Sequence, residues 1–271
     1  MHVPVCRTSE ESLRRLVAGN CSMARFGDGE IMLLAGRNLA FQRVHPELLL
    51  KLRSILRGSQ PGLLVGITTA FCPKEFQTLT PEARGCWQNH SAAFARAWSR
   101  NTLRGHVYDN SCVSRIYIDT QDRDYAAKMI SLWRRVWKDR DVVIIEGLQT
   151  HFGAGNDLLD GAKSIRRILC PSANAYSAYN RIKTLAATIE KDALVLIALG
   201  PTATVLAADL HALGYRAIDI GHLDIEYEWY LAGAKVKQPV PGKLVYEARA
   251  LDEVPAEDDE FLSQVVARIG V

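Results

Sequence analysis

Apolar and polar residues follow two rhythms along this chain. Leu63-Leu-Val-Gly-Ile67, Val142-Val-Ile-Ile145 and Ala193-Leu-Val-Leu-Ile-Ala-Leu199 are short runs with almost no polar interruption. Such runs read as strands covered on both faces. Between them lie stretches of helical period. Thr8-Ser-Glu-Glu11 is a capping box that opens a helix over 12–18, ended by Gly19-Asn20. Pro46 starts a helix over 47–56 whose Leu48, Leu49, Leu52, Ile55 and Leu56 share one face, and residues 58–62 break it. Thr80-Pro81-Glu82 places proline at the first helical position of a helix running to about residue 99. Its Trp87, Phe94 and Trp98 read as core contacts, with sugar stacking as the alternative. Residues 108–115 are polar and poorly periodic, which predicts a loop or short helix. Residues 123–137 form a helix carrying Trp133 and Trp137 one turn apart.

From residue 141 the alternation becomes regular. Strands are predicted over 141–146, 164–170, 193–199 and 215–220, with a glycine-rich loop over 147–161. Helices are predicted over 175–190 and from 201 to about 213. This rhythm predicts an α/β fold: a Rossmann-like, mostly parallel sheet with helices on both faces. No linker or internal repeat interrupts it, so residues 1–271 are expected to form one domain with a core of about 22–231. A tail over 243–271 is acidic from 253 to 260 and ends in a short amphipathic helix. Apolar tail residues Phe261, Leu262 and Val265 are expected to be exposed and are compatible with a homodimer.

Composition narrows the classes. The chain has 271 residues, 48% of them hydrophobic, enough for a large core. Lys and Arg total 33 against 30 Asp and Glu, and the pI is about 8.5, which argues against a nucleic-acid partner. No apolar run reaches the roughly 18 residues of a membrane span, and the first residues lack the apolar core of a signal peptide. The six cysteines form no C-x-x-C pair, so they read as reduced thiols, with neither a disulfide frame nor a zinc site. A cytoplasmic location is the expectation.

Polar chemistry gathers after the predicted strands, where an open α/β sheet collects its ligands. The first strand stops at Gly27-Asp28-Gly29-Glu30. Carboxylates spaced D-x-E on a tight turn suit a hard divalent cation, Mn²⁺ or Mg²⁺; the alternative is that Asp28 caps the next helix and Glu30 complements its dipole. Gly200-Pro201-Thr202 follows an apolar strand and opens a helix, leaving backbone N–H groups free for a phosphate, although Thr202 also fits an N-cap. Asn156 and Asp157 in the glycine-rich loop, and Lys163 and Arg166 after it, put polar and basic groups together: either some of them neutralise a diphosphate, or they belong to a solvated loop and an exposed strand edge. Ser172 and Asn174 hold a base or ribose, or are turn residues. His222, Asp224, Glu226 and Glu228 alternate after the last strand; one carboxylate there can serve as general base with His222 beside it. No G-x-G-x-x-G or Walker A sequence occurs, yet Asp219 lies where a dinucleotide fold places its ribose acid.

Arg25-Phe-Gly-Asp-Gly-Glu30, Gly155-Asn-Asp-Leu158, Ala162-Lys-Ser-Ile165, Cys170-Pro-Ser-Ala-Asn-Ala175, Leu199-Gly-Pro-Thr-Ala-Thr-Val-Leu206 and Asp219-Ile-Gly-His-Leu-Asp-Ile-Glu-Tyr-Glu-Trp229 occur in this order. Together, over about residues 22–231, they resemble the GT-D-type glycosyltransferases, a family formerly known as a domain of unknown function. The resemblance implies a Rossmann-like enzyme that moves a hexose from a nucleotide diphosphate sugar, a UDP-sugar in studied members, to a glycan acceptor in bacterial surface polysaccharide or glycoprotein synthesis. It further implies Mn²⁺ or Mg²⁺ at Asp28 and Glu30, with Arg25 and Gly27 beside the donor. His222 and Glu228 are implied as catalytic, with Asp224 and Glu226 as the neighbouring carboxylates. Gly147-Leu-Gln-Thr-His-Phe-Gly153 departs from the pattern in carrying less charge. Two other classes fit parts of the sequence: an oxidoreductase or methyltransferase holding its cofactor on residues 200–219, and a non-catalytic partner in glycan assembly.

Overall fold

The computed structural model describes residues 1–19, 21–248 and 259–270. Its strands are β1 (Val5–Cys6), β2 (Ser22–Arg25), β3 (Leu63–Ile67), β4 (Val107–Asn110), β5 (Asp141–Gly147), β6 (Ser164–Cys170), β7 (Leu194–Ala198), β8 (Arg216–Asp219) and β9 (Val265–Arg268). They form one nine-stranded sheet in the order β1-β4-β3-β2-β8-β7-β5-β6-β9. Every pairing along it is parallel. The helices are α1 (Ser9–Ala18), α2 (Asp28–Leu34), α3 (Pro46–Arg57), α4 (Pro73–Phe76), α5 (Pro81–Ala93), α6 (Ala95–Asn101), α7 (Arg123–Trp137), α8 (Tyr179–Ala186), α9 (Pro201–Ala212), α10 (Leu223–Ala232) and α11 (Asp259–Gln264).

Strand alternation sorts the core into two layers. Val143, Ile145, Val195 and Ile197 face one side, under α2, α3, α8 and α9. Val142, Ile144, Leu194 and Leu196 face the other, under α1, α7 and α10. The uninterrupted apolar runs of β5 and β7 thus have a physical reason: both faces of these central strands are covered. Helix α9 is buried nearly all round and packs on β2 and β8.

The fold departs from the sequence expectations at several places. Residues 107–110 are a strand, its Asp109 and Asn110 buried and bonded to Arg15 and to Ser12 and Arg7. The helix expected to run to about residue 99 breaks at Phe94. The helix expected over 175–190 starts as a 3₁₀ turn and ends at Ala186. The acidic stretch 253–260 lies outside the described residues up to 258. After it, α11 leads into strand β9, not a terminal helix. Phe261 is buried, its ring stacked 4.1 Å from that of His151 and beneath Arg167, and Val265 pairs with Arg167 in the sheet. Of the three tail residues expected at the surface, Leu262 alone is exposed. Among the described residues no helix is long and apolar enough to cross a membrane.

Candidate active site

The chain builds β3 and β4 to one side of β2 and the remaining long strands beyond β8, so β2 and β8 meet where the strand order reverses. Clefts in open α/β sheets form beyond the C-terminal strand ends at such a point. One does here. Arg25 at the end of β2 donates from Nε to the Asp219 carbonyl (2.8 Å) and from Nη2 to Asp219 Oδ1 (2.8 Å). Its Nη1 reaches the Ser111 carbonyl and Ser114 Oγ beyond β4. Gly221 makes room for this guanidinium: its φ is +54°, and a Cβ there would fall 1.9 Å from Arg25 Nη2. Burial raises the Asp219 pKa against the pull of Arg25.

Asp28 and Glu30 lie on the first turn of α2. Asp28 is exposed and lines the cleft; Glu30 is buried, and its Oε2 accepts the Gly27 N–H at 2.7 Å as the N3 residue of a cap. Burial, then the negative charge of Asp219, pushes the Glu30 pKa up to about 7 against the Gly27 hydrogen bond. The capping reading of the D-x-E turn holds in part: Gly27, not Asp28, is the N-cap, and Glu30 is the carboxylate that caps. Among the described residues no group of three or more His, Cys, Asp or Glu is arranged to hold a metal ion. Asp28 and Glu30 are two carboxylates, a donor set that would suit Mg²⁺ or Mn²⁺ keeping waters and taking substrate phosphate oxygens.

Beside the start of α2 stands the start of α9. Gly200, with φ +54°, turns the chain from β7 into Pro201, and both line the cavity. The two helix starts are adjacent: a Cβ added at Gly29 would sit 3.9 Å from Pro201 Cγ. The other wall is the turn after β5, with Gly147, Thr150 and Phe152, and Ser172 after β6. Ser172 Oγ accepts the Gln149 N–H, fixing these two turns together. Residues 243–248 cross over them: Leu244 N donates to the Gln149 carbonyl, Tyr246 Oη to the Ser172 carbonyl, and the Tyr246 ring packs 4.9 Å from Phe41.

His222 and Asp224, at the start of α10, line the cleft beneath this crossing segment. His222 Nε2 lies 3.7 Å from Glu247 Oε1, and burial lowers the imidazole pKa against the pull of Glu247. Asp224 is buried and accepts from Asn156 Nδ2 (2.8 Å) and Lys243 Nζ (2.7 Å); the same two donors reach Glu228 Oε1 at 2.6 and 3.0 Å.

Residues 23–248 match the model of a protein family described as the glycosyltransferase GT-D fold. The chain belongs to that family. This GT-D domain is 38% identical over 266 residues to the probable glycosyl transferase Gly of Streptococcus gordonii, covering 96% of this chain and 38% of that protein. It is 38% identical over 265 residues to glycosyltransferase GlyD of Streptococcus pneumoniae serotype 4, covering 96% of this chain and 32% of that one. It therefore spans about a third of the length of these relatives. Two solved structures superpose on it with a TM-score of 0.91 each. One, described as a highly conserved domain of unknown function 1792 with a distinct glycosyltransferase fold, is 35% identical, covering 99% of this chain and 96% of its own. The other, described as a new glycosyltransferase from Streptococcus sanguinis, is 37% identical, covering 98% and 99%.

Within the GT-D domain the sequence-predicted residues divide. Arg25, Gly27, Asp28, Glu30, Ser172, Gly200, Pro201, His222 and Asp224 all line the cleft. Lys163 and Arg166 do not: they sit at the opposite end of β6, paired with Asp141 (2.8 Å) and Glu190 (2.5 Å). Asp157 binds Arg134 and the Tyr227 hydroxyl, tying its loop to α7 and α10. Asn174, with φ +51°, accepts from Gln42 Nε2 and Arg43 N as a turn residue, and Thr202 is the buried second residue of α9, not its N-cap, its Oγ1 donating to Gln42. Glu226 points away from the cleft, where it accepts the Tyr117 and Ile118 N–H groups at 2.9 Å and lies 3.7 Å from Arg115. Asn156 and Glu228 sit behind Asp224. Asp219, the ribose-acid position of a dinucleotide fold, is occupied by Arg25. Sequence reading missed Phe41, Ser111, Ser114, Arg115 and Tyr246, which also line the cleft, and Trp87 faces it besides packing in the core. For Ser111, Ser114 and Arg115 the available signal was the eight-residue polar stretch over 108–115: too polar for a core element, and too long for a tight turn.

Proposed function

We propose that this domain transfers a hexose from a UDP-sugar to a hydroxyl of a glycan acceptor, with Mn²⁺ or Mg²⁺ held at Asp28 and Glu30, in bacterial surface polysaccharide or glycoprotein assembly. The observation that carries the reading is the adjacent pair of helix starts, Asp28 on α2 and Gly200-Pro201 on α9, in one cleft at the strand-order reversal. A diphosphate lying over them meets the positive end of the α9 dipole and the carboxylates that hold its cation. The bound cation supplies Lewis-acid charge that offsets the departing diphosphate.

The chain's own residues do the remaining work. Arg25 clamps the ends of β2 and β8 and so sets the distance between the donor turn and α10. His222 faces the cleft as a neutral imidazole able to accept the acceptor's proton, and the Glu247 carboxylate beside Nε2 stabilises the cation that results. Asp224 and Glu228, engaged by Lys243 and Asn156, hold α10 and the crossing segment in place, a positioning role in preference to that of base. Calorimetric titration with UDP, with and without Mn²⁺, tests the reading. Binding that requires the metal supports it; absence of UDP binding under both conditions overturns it.

A further inference from the structure

Beside the donor cleft lies a second groove, between α5, the turn at Asp119 and residues 235–237. Asp28, Trp87 and Arg115 line both cavities, so the groove runs directly into the place where the donor sugar would lie. Trp87 is its apolar wall. The indole Nε1 donates to Asp119 Oδ2 at 3.1 Å, and the Arg115 guanidinium lies 6.0 Å from the ring centroid, so the indole is held from both sides. One turn further along α5, the His90 ring meets Trp87 edge-on and packs 4.7 Å from Phe94. His90 Nε2 is shielded from water and has no hydrogen-bond partner. A sheltered polar atom left unpaired is unfavourable and calls for an explanation, such as a ligand group that completes it.

The charge of the groove identifies its ligand class. Asp28, Glu82, Asp119 and Glu247 stand against Arg115, Lys235 and Lys237. A polyanion meets four carboxylates there and a cation meets three basic groups, so a ligand of either single sign meets like charge. A neutral polyhydroxylated ring suits the mixture: it offers donors and acceptors to both signs and an apolar face to an indole. We infer that this groove seats the terminal hexose of the acceptor glycan, with Trp87 as its wall and His90 Nε2 as partner to one of its hydroxyls. The inference rests on the transferase reading above and adds to it the place from which the acceptor approaches.

The test follows the indole N–H resonance of Trp87 in ¹⁵N-labelled protein, assigned with Trp87→Phe, while methyl hexopyranosides are added to tens of millimolar. UDP with Mn²⁺ is titrated by calorimetry into the same samples. A saturable shift of the Trp87 signal is expected. His90→Ala should weaken it roughly tenfold, the scale of one sheltered hydrogen bond, His90→Gln should restore part of it, and UDP affinity should not change in either variant. If no hexopyranoside moves the Trp87 signal while UDP binding is intact, the groove assignment is wrong and the transferase reading stands. If UDP binding is absent, the transferase reading fails and the acceptor assignment falls with it.

Discussion

The guanidinium of Arg25 holds both the main-chain and the side-chain oxygen of Asp219, a residue 194 positions away, and so locks together the two strands between which the cleft opens. Gly221 is what permits this grip. Alanine at Gly221 introduces a Cβ into the guanidinium and a left-handed conformation unfavourable for a side chain. We expect Gly221→Ala to lower stability by about 2 kcal/mol or more, read from urea unfolding, and to abolish UDP binding because Arg25 must move.

The two ends of the sheet make a sharp contrast. Asp28→Asn should weaken metal-dependent UDP binding by at least roughly tenfold while leaving the melting temperature in place, since Asp28 is exposed. Lys163→Ala and Arg166→Ala should leave UDP affinity and the melting temperature unchanged, as for other solvent-exposed ion pairs. Calorimetry on the three variants checks both halves.

His222→Asn keeps a polar side chain of similar reach and removes the proton acceptor. Turnover should fall by roughly 10²–10⁴, the usual contribution of a general base, with UDP affinity preserved. A UDP-release assay with matched calorimetry separates the two quantities; loss of affinity in place of turnover would make His222 a donor-binding residue.

Lys243 stands between two carboxylates with a nearly buried side chain. Lys243→Met leaves both carboxylates without their cation, and the expected loss is about 3–5 kcal/mol, as for other broken buried pairs. Adding Asp224→Asn and Glu228→Gln to that variant should recover a large share of it, which a denaturation series over the single, double and triple variants would show.

On the α8–α9 face, Asp209 accepts from Lys51, Lys183 and the Tyr179 hydroxyl, each at 2.7 Å. Burial raises the carboxyl pKa, but these three hydrogen bonds outweigh it, so the net shift is downward. A carboxyl held below its unfolded value contributes stability that is present above the ordinary Asp range and disappears as pH falls through the folded value. Wild type should therefore exceed Asp209→Asn in stability at neutral pH, with the gap closing below about pH 4. A gap independent of pH would mean that the carboxylate charge contributes nothing.

How far the sequence reveals this molecule depends on which physical constraint dominates each segment. Strands β3, β5 and β7 are legible because a strand covered on two faces has no room for polar residues. Strand β4 is hidden because its Asp109 and Asn110 are bonded by Arg15 and Ser12 of α1 and by the Arg7 carbonyl before it, partners that no local pattern announces. The D-x-E turn and the start of α9 are legible as sites because strand ends in a parallel sheet all point to one edge. Lys163 and Arg166 were drawn toward that edge by their nearness to a glycine-rich loop. Yet the seven residues of β6 separate their end of the strand from the cleft by roughly 20 Å. Glu226 shows the same ambiguity on a helix: one residue of phase turns a carboxylate from the cleft toward the Tyr117 and Ile118 amides.

The adjacency of β2 and β8 also bears on how the molecule comes into being. Ribosomal synthesis delivers β2 early, but its inner neighbour and the segment that crosses the cleft follow some two hundred residues later. Pairings of such long range form slowly, since the loop must close before any contact rewards it. Until then the D-x-E turn belongs to an incomplete sheet with an open edge. The cleft is consequently among the last parts of the domain to mature, and a stalled or clipped chain carries its D-x-E turn without the cleft that the turn lines.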